Sequence, residues 1–221
     1  MNIKNSKLIH GILALFYCLF GKAAEQDNWY IANEWTVNDP QGIVYYEDNN
    51  TGVKQIYVCE GSGSSKKIGV YDLNGSLARD MTIANTRYYP YDLALDDNGT
   101  IYISERYSVT CLENNGTFKW RTGRNASISS TGSSGTGDGE FYYAYGLSIG
   151  LDGKIYIADK NNNRIQVLDK NGSFVRKFGN YGTAPGQFYY PGDLVINQNG
   201  NLLIVDDNRD YLHYFDANGT F

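Results

Sequence analysis

Four copies of one unit run through this chain, and that repetition limits its fold more than any other feature. The clearest copy is residues 139–179, GEFYYAYGLSIGLDGKIYIADKNNNRIQVLDKNGSFVRKFG. It contains four short apolar runs. YGLSIGL (145–151) leads to the turn Asp152-Gly153 and then KIYIAD (154–159). A polar loop, 160–163, leads to RIQVLD (164–169), the turn Asn171-Gly172 and SFVRKFG (173–179). Asp-Gly and Asn-Gly are the favoured dipeptides of two-residue hairpins, whose central positions both need φ > 0. The unit therefore reads as a four-stranded antiparallel meander with type I′ turns.

The first-turn glycine recurs at Gly52, Gly99, Gly153 and Gly200. The following strand reads QIYVCE, TIYISE, KIYIAD and NLLIVD, and the second turn recurs as Asn-Gly at 74–75, 115–116, 171–172 and 218–219. Equivalent positions lie about 40 to 55 residues apart, the spacing of a four-stranded propeller blade and not of a helical repeat. No helical period of apolar residues competes with it.

The units resemble the NHL repeat. The resemblance rests on Gly186, Gln187, Phe188 and Pro191 before a first strand, and on IYIAD, KNNN, RIQVLD and KNGSFVRKFG between Ile155 and Gly179. It covers roughly residues 38–221 and is weakest in the first unit. It implies an all-β fold, a β-propeller of four-stranded antiparallel blades, commonly six in this family. It implies no single activity, because one fold hosts many functions.

The expected blades are 38–84, 85–123, 139–179 and 186–221, with a Ser- and Gly-rich insert at 124–138 expected to be a flexible loop. About four blades are present, and the last has no sequence for an outermost strand. Either the chain is a fragment of a larger propeller, the preferred reading, or the aromatic segment at 29–37 closes the ring by supplying that strand. Closure would remove exposed sheet edges.

Residues 1–24 carry Lys4 and Lys7, an apolar run at 12–20 and then Gly21, Ala23 and Ala24. This is the order of a secretory signal peptide, with cleavage after Ala23, and the run is too short to span a bilayer. The expectation is a secreted or periplasmic protein that makes no membrane contact once the signal is removed. Cys59 and Cys111 are expected as buried thiols; a core of this size does not need a disulfide. The net charge of −5 leaves no basic stripe for phosphates, so nucleic acid is not an expected partner.

Tight turns occupy one face of such a meander, and the loops between strands two and three occupy the other. Those loops vary (61–66, 106–107, 160–163 and 207–210), as do the crossings to the next blade. Function concentrates on varied loops carried by a fixed scaffold. Aromatic pairs open three units, at Tyr88-Tyr89, Tyr142-Tyr143 and Tyr189-Tyr190. They read as packing between blades or as a tyrosine surface for a protein or carbohydrate partner. The candidate ligand-binding residues are Tyr89, Tyr107, Tyr143, Tyr190 and Tyr211, with Asn161, Asn162 and Asn163.

Glu60, Glu105, Asp159 and Asp206 end the second strand of each unit. Lys67, Ser108, Arg164 and Tyr211 share one position in the strand that follows. The resemblance implies structural contacts between blades for the acidic residues and Arg164. A second reading gathers the four carboxylates around the channel mouth as oxygen ligands for Ca²⁺; otherwise no cofactor or metal is expected. Of seven sequons, the five within Asn-Gly turns read first as turn chemistry and second as glycan acceptors; Asn49 and Asn125 are sequons as well.

Enzymatic propellers form the competing class. The chain has two His, His10 and His213, too few for a zinc triad. It has no nucleophile elbow and no His-Glu-x-x-His motif. The function expected is a binding scaffold acting through the variable-loop face, with a calcium-dependent lyase or lactonase as the alternative.

Overall fold

A computed structural model of the chain describes residues 37, 39–62, 65–83, 88–127, 129–216 and 218–221. The expected signal segment and residues 29–36 of the aromatic segment lie outside the described residues. Seventeen strands and one short 3-10 helix follow in order. The first blade holds β1 (Pro40–Glu47), β2 (Lys54–Ser62), β3 (Ser65–Tyr71) and β4 (Leu77–Thr82). The second holds β5 (Pro90–Leu95), β6 (Ile101–Glu105), β7 (Ser108–Leu112) and β8 (Phe118–Thr122). A small ribbon, β9 (Ala126–Ser127) with β10 (Ser130–Thr131), comes next. The third blade holds β11 (Ala144–Ile149), β12 (Ile155–Asp159), β13 (Arg164–Leu168) and β14 (Phe174–Phe178). Its helix η1 (Lys160–Asn162) joins β12 to β13. The fourth holds β15 (Pro191–Ile196), β16 (Leu202–Asp206) and β17 (Tyr211–Phe215). Each sheet is a plain antiparallel meander in chain order.

Burial follows from stacking these sheets face to face. All residues of β6, β7, β12 and β13 are buried, because the middle strands are covered on both faces. The outermost β8 and β14 alternate between half-buried and exposed positions over most of their length. Three apolar cores fill the gaps between successive blades. Tyr57, Cys59, Ile68 and Val70 meet Leu93, Ile101, Ile103 and Leu112. Tyr102, Val109 and Cys111 meet Leu147, Ile155 and Ile157. Tyr156, Ala158, Ile165 and Val167 meet Leu194, Leu202 and Ile204. Each fully buried aliphatic side chain contributes about 1.5–3 kcal/mol. Cys59 and Cys111 are free buried thiols in two different cores, and burial pushes the Cys111 thiol up to about 12.

The turns differ from the expected type. At Asn74-Gly75, Asn115-Gly116 and Asn171-Gly172 only the glycine has positive φ. Six hairpins among the described residues instead make a type I turn closed by a left-handed glycine, which leaves a bulge. In one of them, the Gly172 amide donates to the Asp169 carbonyl and the Asp169 amide to the Ser173 carbonyl. A cap lies two residues before the Asn. The Asp169 carboxylate accepts from the Asn171 and Ser173 amides at 2.9 and 2.8 Å. Asp72, Asp96, Asn197 and Asp216 do the same in their own turns. This local capping holds a helical turn conformation that a type I′ turn would break.

The described residues between 124 and 138 include the β9–β10 ribbon and a backbone segment bonded to side chains of the third blade. Arg164 donates to the Thr136 and Gly137 carbonyls at 2.8 Å, and Asn162 donates to the Gly135 carbonyl at 2.8 Å. A Ser/Gly-rich segment has no side chains with which to pack, so its order is imposed by its neighbours.

Candidate functional site

The carboxylates ending the second strands are buried, and each finds partners within its own blade, although Glu105 Oε1 is left without one. Asp159 accepts from the Tyr142 amide at 2.8 Å, Asn162 at 2.9 Å, Arg164 Nε at 2.7 Å and Gln166 at 3.0 Å. Burial still holds its pKa above the usual carboxylate value against those donors. The opposite residue of the second blade is Ser108. There Glu105 finds Arg121 at 3.1 Å, from the outermost strand, together with Ser108 and Thr110. Glu60 takes the Tyr71 hydroxyl at 2.5 Å and lies 3.6 Å from Lys67. Asp206 takes the Tyr189 amide and lies 3.4 Å from His213 Nε2. Removing one member of a buried pair such as Glu105–Arg121 costs about 3–5 kcal/mol. The tie from Asp159 to Tyr142, and from Asp206 to Tyr189, fixes the first tyrosine of each pair at the entrance to its blade. Among the described residues no three His, Cys, Asp or Glu side chains gather to hold a metal ion.

The second tyrosine of the pair is set by backbone strain. Tyr143 and Tyr190 have φ of 65° and 69°, a region costing a bulky residue about 1–3 kcal/mol. Neighbouring amides and carbonyls enforce it. The Tyr143 amide donates to the Arg106 carbonyl at 2.7 Å, and the Lys160 amide donates to the Tyr143 carbonyl at 2.9 Å. Tyr190 donates to Asn163 Oδ1 at 3.0 Å, and Asp207 donates to the Tyr190 carbonyl at 3.1 Å. A register shift at the start of β1, β5, β11 and β15 accompanies this entry in every blade.

The result is an aromatic tier on the variable-loop face. Tyr91 stacks on Tyr145 at 5.0 Å and on Tyr143 at 5.9 Å. Tyr107 touches Tyr88 and Tyr142. The Arg106 guanidinium lies 5.2 Å from the Tyr88 and Tyr107 ring centres and 4.6 Å from that of Tyr143. Lys160 lies 4.3 Å from the Tyr145 ring and is paired with Asp207 of the next blade. Tyr142 is 38% exposed at the edge of this cluster. A second group, Tyr181, Tyr189 and Tyr190, continues around the face. Arg209 packs there on Tyr211 at 4.6 Å and donates to the Gly182 and Thr183 carbonyls.

The structure thus joins Tyr107 and Tyr143 in one cluster, with Asn161 bonded through its amide to the Tyr142 carbonyl. Tyr190 and Tyr211 lie on the fourth blade. Tyr89 stands exposed beside Lys66, whose ammonium is 5.5 Å from its ring. The side chains of Asn162 and Asn163 are committed to the Gly135 carbonyl, Asp159 and the Tyr190 amide. Sequence reading missed Arg106 as the cation at the centre, Tyr91 as a stacking partner and Arg121 as the ion-pair partner of Glu105. A cleft of about 220 Å³ adjoins the second tyrosine group, lined by residues 183–185, Arg209, Tyr211 and His213.

Inside the array, the Asp92 carboxylate of β5 accepts from the Leu147 amide at 2.9 Å. Although Asp92 keeps some solvent contact, burial and the nearby Asp193 carboxylate push it well above the ordinary carboxylate range.

Residues 147–221 match the model of a family described as a 6-bladed beta-propeller. The chain folds as a β-propeller. A stretch of 46 residues, 21% of the propeller, is 41% identical to protein lin-41 of Caenorhabditis elegans, of which it spans 4%. Among solved structures it resembles a catalytically inactive virginiamycin B lyase from Staphylococcus aureus with quinupristin. That match has TM-score 0.57 and 16% identity, over 84% of this chain and 60% of the other. It also resembles an auxiliary nutrient binding protein from Bacteroides thetaiotaomicron, with TM-score 0.57 and 12% identity, over 76% of this chain and 46% of that one. Identities this low speak for the fold alone. The propeller spans less than two thirds of each of these proteins.

Proposed function

We propose that the chain is a binding scaffold whose variable-loop face takes a protein or carbohydrate partner. The observation that carries this reading is the aromatic tier around Arg106. Tyrosines supply contact area at low entropic cost, and here the rigid backbone at Tyr142-Tyr143 holds them ready. The signal-like residues 1–24 support export, and the net charge of −5 argues against nucleic acid. The test is capture on a glycan microarray and on an array of extracellular protein fragments. Tyr142→Ala and Tyr89→Ala should each weaken capture at least tenfold while the melting temperature stays within about 2 °C. Unchanged capture by both variants would remove the face from consideration. Tyr143 and Tyr190 are poorer probes, since their backbones are part of the joint between blades.

A second reading, a calcium-dependent lyase or lactonase, draws on the fold likeness to the virginiamycin B lyase. Turnover of a lactone and ester panel that chelator abolishes would favour it. No turnover, with no rise in melting temperature at millimolar Ca²⁺, would end it.

A further inference from the structure

We infer that Arg106 is the recognition point for an acidic saccharide and sets which ligand the binding face accepts. The inference rests on reading that face as a binding surface. Every other arginine among the described residues donates a hydrogen bond: Arg79 to Asn114, Arg121 to Thr110, Arg124 to Ser134, Arg164 to Asp159, Arg176 to Asn218 and Arg209 to Gly182. Arg106 is the exception. Its guanidinium meets three tyrosine rings, and its Nε is buried with no partner. Rings temper the positive charge but supply no oxygen for the five N–H donors of the fork. A half-buried cation without an acceptor is costly, and a carboxylate, which the fork grips with two parallel bonds, is its natural complement.

The surroundings favour a sugar as the bearer of that carboxylate. Tyr142 offers an exposed ring at the edge, and Tyr107 lies beside it. Asn161, held against Tyr142 through its backbone, makes no side-chain hydrogen bond among the described residues. Rings accept the C–H faces of a pyranose, an amide accepts and donates to hydroxyls, and the cation takes the uronate.

Calorimetric titration of the full chain tests this, with a uronic acid trisaccharide, its methyl-esterified neutral form and a tetraglutamate peptide. The acidic trisaccharide should bind at least tenfold more tightly than the ester and the peptide. Arg106→Gln should abolish that difference, and Arg106→Lys should restore only part of it. Equal affinity for acid and ester, preference for the peptide, no saccharide binding, or discrimination that survives in Arg106→Gln would each overturn the inference. Should Arg106→Gln fail to fold, Arg106→Lys decides: discrimination at the parent level overturns it, and a several-fold loss supports it. If Tyr142→Ala weakens both sugars while Arg106→Gln changes nothing, the binding face stands and this inference falls.

Discussion

Single residues show how the same requirement is met in different ways. A buried carboxylate ends each second strand, and four blades give it four partner sets: Tyr71 and Lys67, Arg121, Arg164 and Gln166, and His213. Asp92 is the costly case, because its neighbourhood favours the neutral form. A carboxyl whose pKa is raised on folding contributes stability that is fully present below its unfolded value of about 4, and loses it as pH rises through the folded value. Asp92→Asn keeps an acceptor for the Leu147 amide and cannot ionise. Its stability relative to the parent should therefore be lowest near pH 4 and climb steadily toward pH 8. Urea unfolding at several pH values checks this, and a difference that ignores pH would contradict it. The carboxylates themselves are legible in the sequence by alignment of the repeats. Arg121 is not, because it comes from the outermost strand and replaces what Ser108 cannot supply. Arg106 is equally hidden, since its rings arrive from residues 88, 107 and 143, which share no sequence spacing.

At the level of the element, strand order could be read because Gly and Asn-Gly punctuate every copy at one place. The turn type could not be read from the dipeptide: in four of the six hairpins the Asp or Asn two residues earlier caps it, and the turns at 113–116 and 150–153 take the same form without that cap. Asp169 caps two amides, so Asp169→Ala should cost about 1–2 kcal/mol. Asp169→Asn should cost much less, as Asn197 already fills the same role. Gly172→Ala should cost more than either, since Gly172 sits at φ 83° and a Cβ there would come within 2.8 Å of the Trp120 ring. Thermal unfolding of the three variants gives the ranking. The contacts of residues 135–137 could not be read for a related reason: their donors, Arg164 and Asn162, lie more than twenty residues away, and composition cannot report a distant donor.

Across the whole molecule, three of the four sheets have their forward face covered by the sheet that follows. The corresponding face of the last sheet carries Val195, Leu212 and Tyr214 at 48, 64 and 52% exposure. By register, Leu212 and Tyr214 hold the places that Ile165 and Val167, both fully buried, hold one blade earlier. The joints between blades have a consequence of their own. Arg106, Tyr143 and Lys160 link two sheets through consecutive main-chain bonds, and Tyr91 stacked on Tyr145 closes the same seam. No blade can tilt there without breaking both at once, so the rim behaves as a stiff plate, and whatever lands on it meets a surface whose shape was settled beforehand.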